Sequence, residues 1–312
     1  MGSKIEWTEE TWNPTTGCDK VSAGCDNCYA MPMSARLKAM GSAKYQNDGD
    51  PRTSGPGFGF TAHADLIDRP LRWKRPRRVF VNSMSDLFHP GIGQAENVNG
   101  YPFLAQVFAT MAAASQHTFQ ILTKRPQIMR AVLADPMFRL DVNAALMSRG
   151  FSVMPGGMTD PDFQWPSNIW LGTSIESDMY TFRADHLRRC GAAVRFISAE
   201  PLLGPLPSLD LTGIDWLIVG GESGPVADVR PMHPEWVRDL RDQATETDTA
   251  LFFKQWGAWG PGGHPYRDSR YVDLGGRWQP WARDGAVLMN FARKSRHGNE
   301  LDGRTWTNYP DV

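Results

Sequence analysis

The sequence predicts an α/β fold, a partial (β/α)6 barrel that carries a cysteine-rich loop near its N-terminus. Three observations lead there. Short apolar, β-rich runs recur at 77–86, 119–125, 169–176, 194–201, 215–223 and 250–256. Helix-like stretches separate most of them, at 98–114, 127–134, 178–190 and 234–245. Continuous apolar strands alternating with amphipathic helices make a parallel sheet covered on both faces. Finally, each run turns polar only at its C-terminal end, where a barrel carries its active site and a doubly wound sheet its ligand.

The elements follow in order. The opening MGSKIEWTEETWNP is acidic and lacks the apolar stretch of a signal peptide. TGCDKVSAGCDNCYA comes next, and AMPMSARLKAM then reads as a helix. The Gly/Pro/Asp-rich GSAKYQNDGDPRTSGPGFGF is a loop. RPLRWKRPRR (69–78) holds six cations in ten residues around Trp73 and resembles a nucleic-acid patch. It leads into the N-terminal end of a strand, so a solvated bottom face is expected. Residues 136–168 interrupt the rhythm as an insertion or lid. Residues 260–312, rich in Gly, Trp and Arg, are read as an extension that packs on the barrel of 1–259 and wraps it or closes its open side.

Bulk composition bounds the function. Lys+Arg number 33 and Asp+Glu 34, so no global field draws the chain to nucleic acid or membrane. No apolar run approaches the ~20 residues that span a bilayer. A cytoplasmic location is expected, where thiols stay reduced and clustered cysteines serve metals more than disulfides.

Cys18, Cys25 and Cys28 have six and then two residues between them. Three thiolates so close read as ligands of one metal centre. A [4Fe–4S] cluster takes four ligands, so three cysteines leave one iron open. A structural zinc completed by a histidine or Cys190, a disulfide with spare thiols, and inert buried cysteines remain open readings. At the strand ends the polar sets are Asn82, Ser83, Ser85 and Asp86; Thr123, Lys124 and Arg125; Thr173, Ser174 and Glu176; Ser198 and Glu200; Glu222 and Ser223; Lys254 and Gln255. Asp86, Lys124, Glu200 and Lys254 are the catalytic candidates among them. Gly220-Gly221-Glu222 offers close backbone approach with a carboxylate beside it, without the spacing of a dinucleotide fingerprint.

These residues resemble a known family. GCDKVSAGCDNCYA ahead of alternating strands and helices is similar to the radical S-adenosylmethionine (SAM) enzymes, and most of all to their phage-associated three-cysteine-motif branch. IEWTEETWNPTTGC, VFVNSMSDLFH, FQILTKRP, WLGTSIE, FISAEPLLGP, WLIVGGESGP, FFKQWG and LDGRTW share the resemblance, which spans nearly the whole chain. A more distant similarity is to spore photoproduct lyase, which repairs a thymine lesion.

The resemblance implies a radical-SAM-type partial barrel. Cys18, Cys25 and Cys28 would hold three irons of a [4Fe–4S] cluster, with SAM on the fourth. It implies Tyr29, Ser83, Ser85, Asp86, Thr173, Ser174, Glu176, Gly221 and Glu222 as cofactor contacts. An external electron donor and a DNA or nucleoside substrate, for base modification or repair, would be partners, in the host cytoplasm if the gene is a phage's. The familiar loop has three residues between its first two cysteines where this one has six. The usual glycine-rich SAM-amine motif is replaced by Asn82, Ser83, Ser85 and Asp86. A zinc protein, or a cluster protein without SAM chemistry that serves as a partner, are the competing functions.

Overall fold

A computed structural model of the 312-residue chain describes residues 3, 5–156, 160, 163–225, 228–262, 268–282, 284–292 and 294–311. Its strands and helices run in chain order as β1 (Glu10–Trp12), β2 (Thr15–Thr16), α1 (Ala30–Ala39), β3 (Thr61–Ala62), β4 (Arg78–Val81), α2 (Phe103–Ala113), β5 (Thr118–Thr123), α3 (Pro126–Ala134), α4 (Pro136–Ser148), β6 (Ile169–Ser174) and α5 (Arg183–Arg188). They continue as β7 (Arg195–Ala199), β8 (Trp216–Gly220), α6 (Pro234–Glu246), β9 (Ala250–Gln255), β10 (Trp259–Pro261), β11 (Ser269–Val272), β12 (Trp278–Gln279), β13 (Val287–Phe291), α7 (Lys294–His297), β14 (Glu300–Leu301) and β15 (Arg304–Thr305). Seven strands form one parallel sheet in the order β1-β4-β5-β6-β7-β8-β9. All six expected runs are in it. The seventh member, β1, is only three residues long and sits just before the cysteine loop.

The sheet is curled into an open half-barrel. On a flat sheet β4 and β8, four spacings apart, would be separated by ~19 Å. Yet the Trp7 ring lies 4.8 Å from Phe80 of β4 and 5.9 Å from Trp216 of β8. Strand alternation sorts the side chains. Phe80, Trp170, Phe196, Trp216, Ile218 and Phe252 fill the concave side around Trp7. Their neighbours Val79, Val81, Phe119, Ile121, Leu171, Ile197, Leu217, Val219 and Phe253 join the larger core shared with the helices. Gly172 is glycine because a Cβ there would lie 2.4 Å from the Phe196 ring.

Departures from the sequence reading have local causes. The helix expected over 98–114 starts only at Phe103, since Asn99 and Gly100 take positive φ and Pro102 follows. The stretch 178–190 splits into a short 3-10 turn and α5. The described part of 136–168 is no lid. Its α4 buries Phe138, Val142, Ala145 and Leu146 in the outer layer, where Phe138 and Trp165 meet Phe108 of α2.

Beyond β9 the chain builds a four-stranded antiparallel sheet, β10-β13-β11-β12, and then returns. Phe253 N–H donates to Trp306 O (2.7 Å) and Asn308 N–H to Leu251 O (3.0 Å), which covers the free edge of β9. Tyr309 then packs 5.1 Å from Trp216, with the Arg78 guanidinium 4.2 Å from its ring centre, and so plugs the N-terminal end of the half-barrel. The basic run ends at this bottom face. Arg77 pairs with Glu10 at 2.8 Å, and Arg69 and Arg77 flank the Trp73 ring. None of residues 69–78 reaches the opposite rim.

Candidate functional site

A cavity of about 520 Å³ opens at the C-terminal rim. Six of the seven parallel strands contribute to it at or just past their ends: Asn82, Ser83, Ser85 and Asp86 after β4; Thr123, Lys124 and Arg125 from β5; Ser174 from β6; Ser198 and Glu200 from β7; Gly221, Glu222 and Ser223 after β8; Lys254 and Gln255 from β9. The loop after β1 and β2 supplies Cys18, Cys25, Cys28 and Tyr29, and Ile5, Trp7, Phe80 and Leu122 add apolar wall.

The long cysteine loop is fixed from several sides. Cys18 N–H donates to Phe58 O at 3.2 Å, and Gly17 fits only without a side chain, since a Cβ would lie 2.2 Å from Gly59 O. Asp19 accepts from Thr53 Oγ1 (2.6 Å), Ser54 Oγ (2.9 Å) and His89 Nε2 (2.8 Å). Burial pushes the Asp19 carboxyl up, but these three donors outweigh it and hold it below the ordinary value. The His89 ring takes the tautomer this requires, because Nδ1 accepts from Gly91 N–H at 3.0 Å. Arg230 clamps the middle of the loop: it donates to Ala23 O (2.9 Å) and reaches Asp26 (3.3 Å) while engaging Glu222 at 2.5 and 3.0 Å. Asn27 Nδ2 donates to Asp228 O at 2.7 Å.

Beneath the loop lies a layer of buried charge. Asp86 Oδ1 accepts from Thr123 Oγ1 (2.7 Å) and Phe88 N–H (2.9 Å); Oδ2 accepts from Lys124 N–H (3.1 Å) and Arg125 Nη1 (2.9 Å). Arg125 also reaches Cys18 Sγ at 3.4 Å and donates to Asp19 O at 3.2 Å. Glu176 Oε2 lies 3.0 Å from both Lys124 Nζ and Arg183 Nη1. Burial pushes Glu176 up, yet Lys124, the Ser22 hydroxyl and Arg183 bring it below its usual value. Burial, reinforced by Asp86, pushes the Cys18 thiol up to about 12, so an incoming metal ion must displace its proton. Farther round the rim Lys254 Nζ sits 2.7 Å from Glu200 and 3.7 Å from Glu6. Burial alone would lower the Lys254 pKa, but the two carboxylates outweigh it and raise it.

The structure brings Cys18, Cys25, Cys28, Tyr29, Ser83, Ser85, Asp86, Lys124, Ser174, Glu200, Gly221, Glu222 and Lys254 to the cavity. It does not bring Thr173 and Glu176 there. Thr173 faces away from Ser174 by strand alternation and its hydroxyl donates to Thr123 O at 2.9 Å; Glu176 Oε2 is held between Lys124 and Arg183. Gly221 is glycine for packing, since a Cβ would lie 2.0 Å from Trp256 O. Asp86 lines the wall with every acceptor position engaged, so it positions its neighbours. The sequence reading did not single out Arg230, Asp19 or Trp7. Their partners are remote in sequence, and no local pattern marks them.

Neither fourth zinc ligand weighed from the sequence, Cys190 or a described histidine, lines the cavity. Cys190 is 3% exposed in the core beneath the helices and directs its thiol to His186 O, and no described histidine lines the cavity. Among the described residues no three His, Cys, Asp or Glu side chains converge on a point fit for one metal ion. Cys18, Cys25 and Cys28 are free and line the cavity.

Over residues 2–310 the chain matches the model of a family described as Protein of unknown function (DUF5131). The chain belongs to that family. No curated protein matches the sequence of this DUF5131 member. Among solved structures it is similar to spore photoproduct lyase complexed with dinucleoside spore photoproduct, at 12% identity and TM-score 0.40, over 95% of this chain and 72% of that one. It is similar also to a double mutant of that lyase with bound AdoMet and dinucleoside spore photoproduct, at 13% identity and TM-score 0.39, over 93% and 70%.

Proposed function

We propose that the chain is a radical SAM enzyme acting on a nucleic-acid base or nucleoside. The observation that carries this reading is the presentation of Cys18, Cys25 and Cys28 by one loop into a cavity lined by the strand ends of a parallel half-barrel. The donor set fits a [4Fe–4S] cluster. Cys18, Cys25 and Cys28 are free and line one cavity, and no other cysteine or described histidine lines it, so these three would hold the cluster and would leave a position on it for SAM. When bound, such a cluster would supply the electron for reductive cleavage of SAM and so the means of hydrogen abstraction from a substrate.

The chain's own residues do the rest. Lys124, 18% exposed and held by Glu176, is a cation for the SAM carboxylate. Asn82 and Ser83 offer acceptors for its amine, and Asn82 is held at the strand end in the left-handed region (φ 68°), which Asn tolerates better than most residues. The Ser174 hydroxyl and Tyr29 suit ribose and adenine. Ile5, Trp7, Phe80 and Leu122 keep water from a reactive intermediate. Lys254, Glu200 and Gln255 add polar groups to the same cavity where a base could be held, and a base within a polymer must be extruded to reach them. Anaerobic iron–sulfur reconstitution tests the proposal. The wild type should turn brown with broad absorption near ~400 nm, and Cys28→Ala should not. Colourless protein carrying one equivalent of zinc would refute it.

A further inference from the structure

We propose that the buried Arg125–Asp86 pair sets the electron affinity of the cluster held by Cys18, its two members pulling in opposite directions. This rests on the reading of the cysteines as cluster ligands. Arg125 Nη1 stands 3.4 Å from Cys18 Sγ and 2.9 Å from Asp86 Oδ2, so one guanidinium nitrogen bridges the ligand sulfur and the carboxylate. Both side chains are buried, 6% exposed each.

Neither charge can swing away. Arg125 is tied to Asp19 O through Nη2, and its own N–H donates to Thr123 Oγ1 at 2.9 Å. Asp86 takes two donors on each oxygen. The pair therefore presents a fixed cation against the ligand sulfur and a fixed anion directly behind it. Hydrogen bonds to a ligating sulfur and nearby fixed charges are the means by which a protein sets a cluster's reduction potential. Adding an electron makes the cluster more negative, which the guanidinium favours and the carboxylate opposes.

The test compares reconstituted wild type, Arg125→Gln, Arg125→Lys and Asp86→Asn. Iron and sulfide are counted first, and the midpoint potential is then found by redox titration followed by electron paramagnetic resonance, without SAM. Arg125→Gln should shift the midpoint to more negative potential and Asp86→Asn to more positive potential, while Arg125→Lys stays near wild type. Resonance Raman gives a second reading. The wild type should show a deuterium-sensitive Fe–S(Cys) stretch that Arg125→Gln has lost. Unmoved midpoints, or shifts of Arg125→Gln and Asp86→Asn in the same direction, would overturn the inference. If Arg125→Gln takes up no cluster, the Asp86→Asn and Arg125→Lys midpoints decide. Wild type that takes up no cluster refutes the parent reading instead.

Discussion

Arg230 holds the cysteine loop against the β8 end of the barrel, and removing it should cost more than removing its partner. Glu222 is 5% exposed and accepts both from the Arg230 guanidinium and from the Arg230 backbone N–H (2.8 Å). Arg230→Ala strands that carboxylate in the protein. Breaking a buried pair this way costs about 3–5 kcal/mol. The Arg230 side chain is 34% exposed, so water screens part of the loss, and about 2–3 kcal/mol is the expected cost. Glu222→Gln leaves a guanidinium already at the surface, still bonded to Ala23 O and reaching Asp26, and should cost about 1 kcal/mol. The double replacement Arg230→Met with Glu222→Leu removes both charges together and should be less destabilised than Arg230→Ala alone. Urea unfolding with a common m-value measures all three, and an Arg230→Ala/Glu222→Gln double variant completes the cycle that isolates the coupling. Equal costs for the two single variants, or strict additivity, would refute the reasoning. The Arg230→Ala protein should also release iron faster, because its loop has lost the contacts to Ala23 and Asp26.

Two further outcomes follow from the core and the charge layer. Glu176 lies below its ordinary value of 4.5 in the folded chain, so it stabilises the fold above that pH and the contribution fades as pH falls through its depressed value. Glu176→Gln should therefore flatten the acid limb of a stability-against-pH curve, and an unchanged limb would contradict the assignment. Trp7 is 2% exposed among Phe80, Phe196 and Trp216, so Trp7→Ala should cost about 3–5 kcal/mol. Its indole N–H is buried without a partner, so Trp7→Phe sheds that penalty and should cost about 1 kcal/mol or less, read from urea midpoints.

The strands were legible because a sheet covered on both faces needs unbroken apolar runs, and DWLIVGG or VRFISAE could hardly be anything else. β1 was not, because three residues carry no period. α4 hid in the interruption at 136–168, where Pro136 opens a helix that only α2 explains. The rim cavity was legible through the polar residues that close each run. Which of those residues reach it was not, since that depends on parity at the strand end and on partners. Thr173 and Ser174 differ by one position and face opposite ways. Arg230 and Ala23 are 207 residues apart, and only the folded chain joins them. The six-residue gap between Cys18 and Cys25 is likewise explained by Asp19, His89 and Arg230, which hold the longer loop in place.

The most direct test of the proposed function is product analysis after reduction. Reconstituted wild type, incubated anaerobically with dithionite and SAM, should release 5′-deoxyadenosine, and Cys18→Ala, Cys25→Ala and Cys28→Ala should release none while Cys190→Ala matches wild type. A cluster-loaded wild type that leaves SAM intact, with and without nucleosides or oligonucleotides, would contradict it.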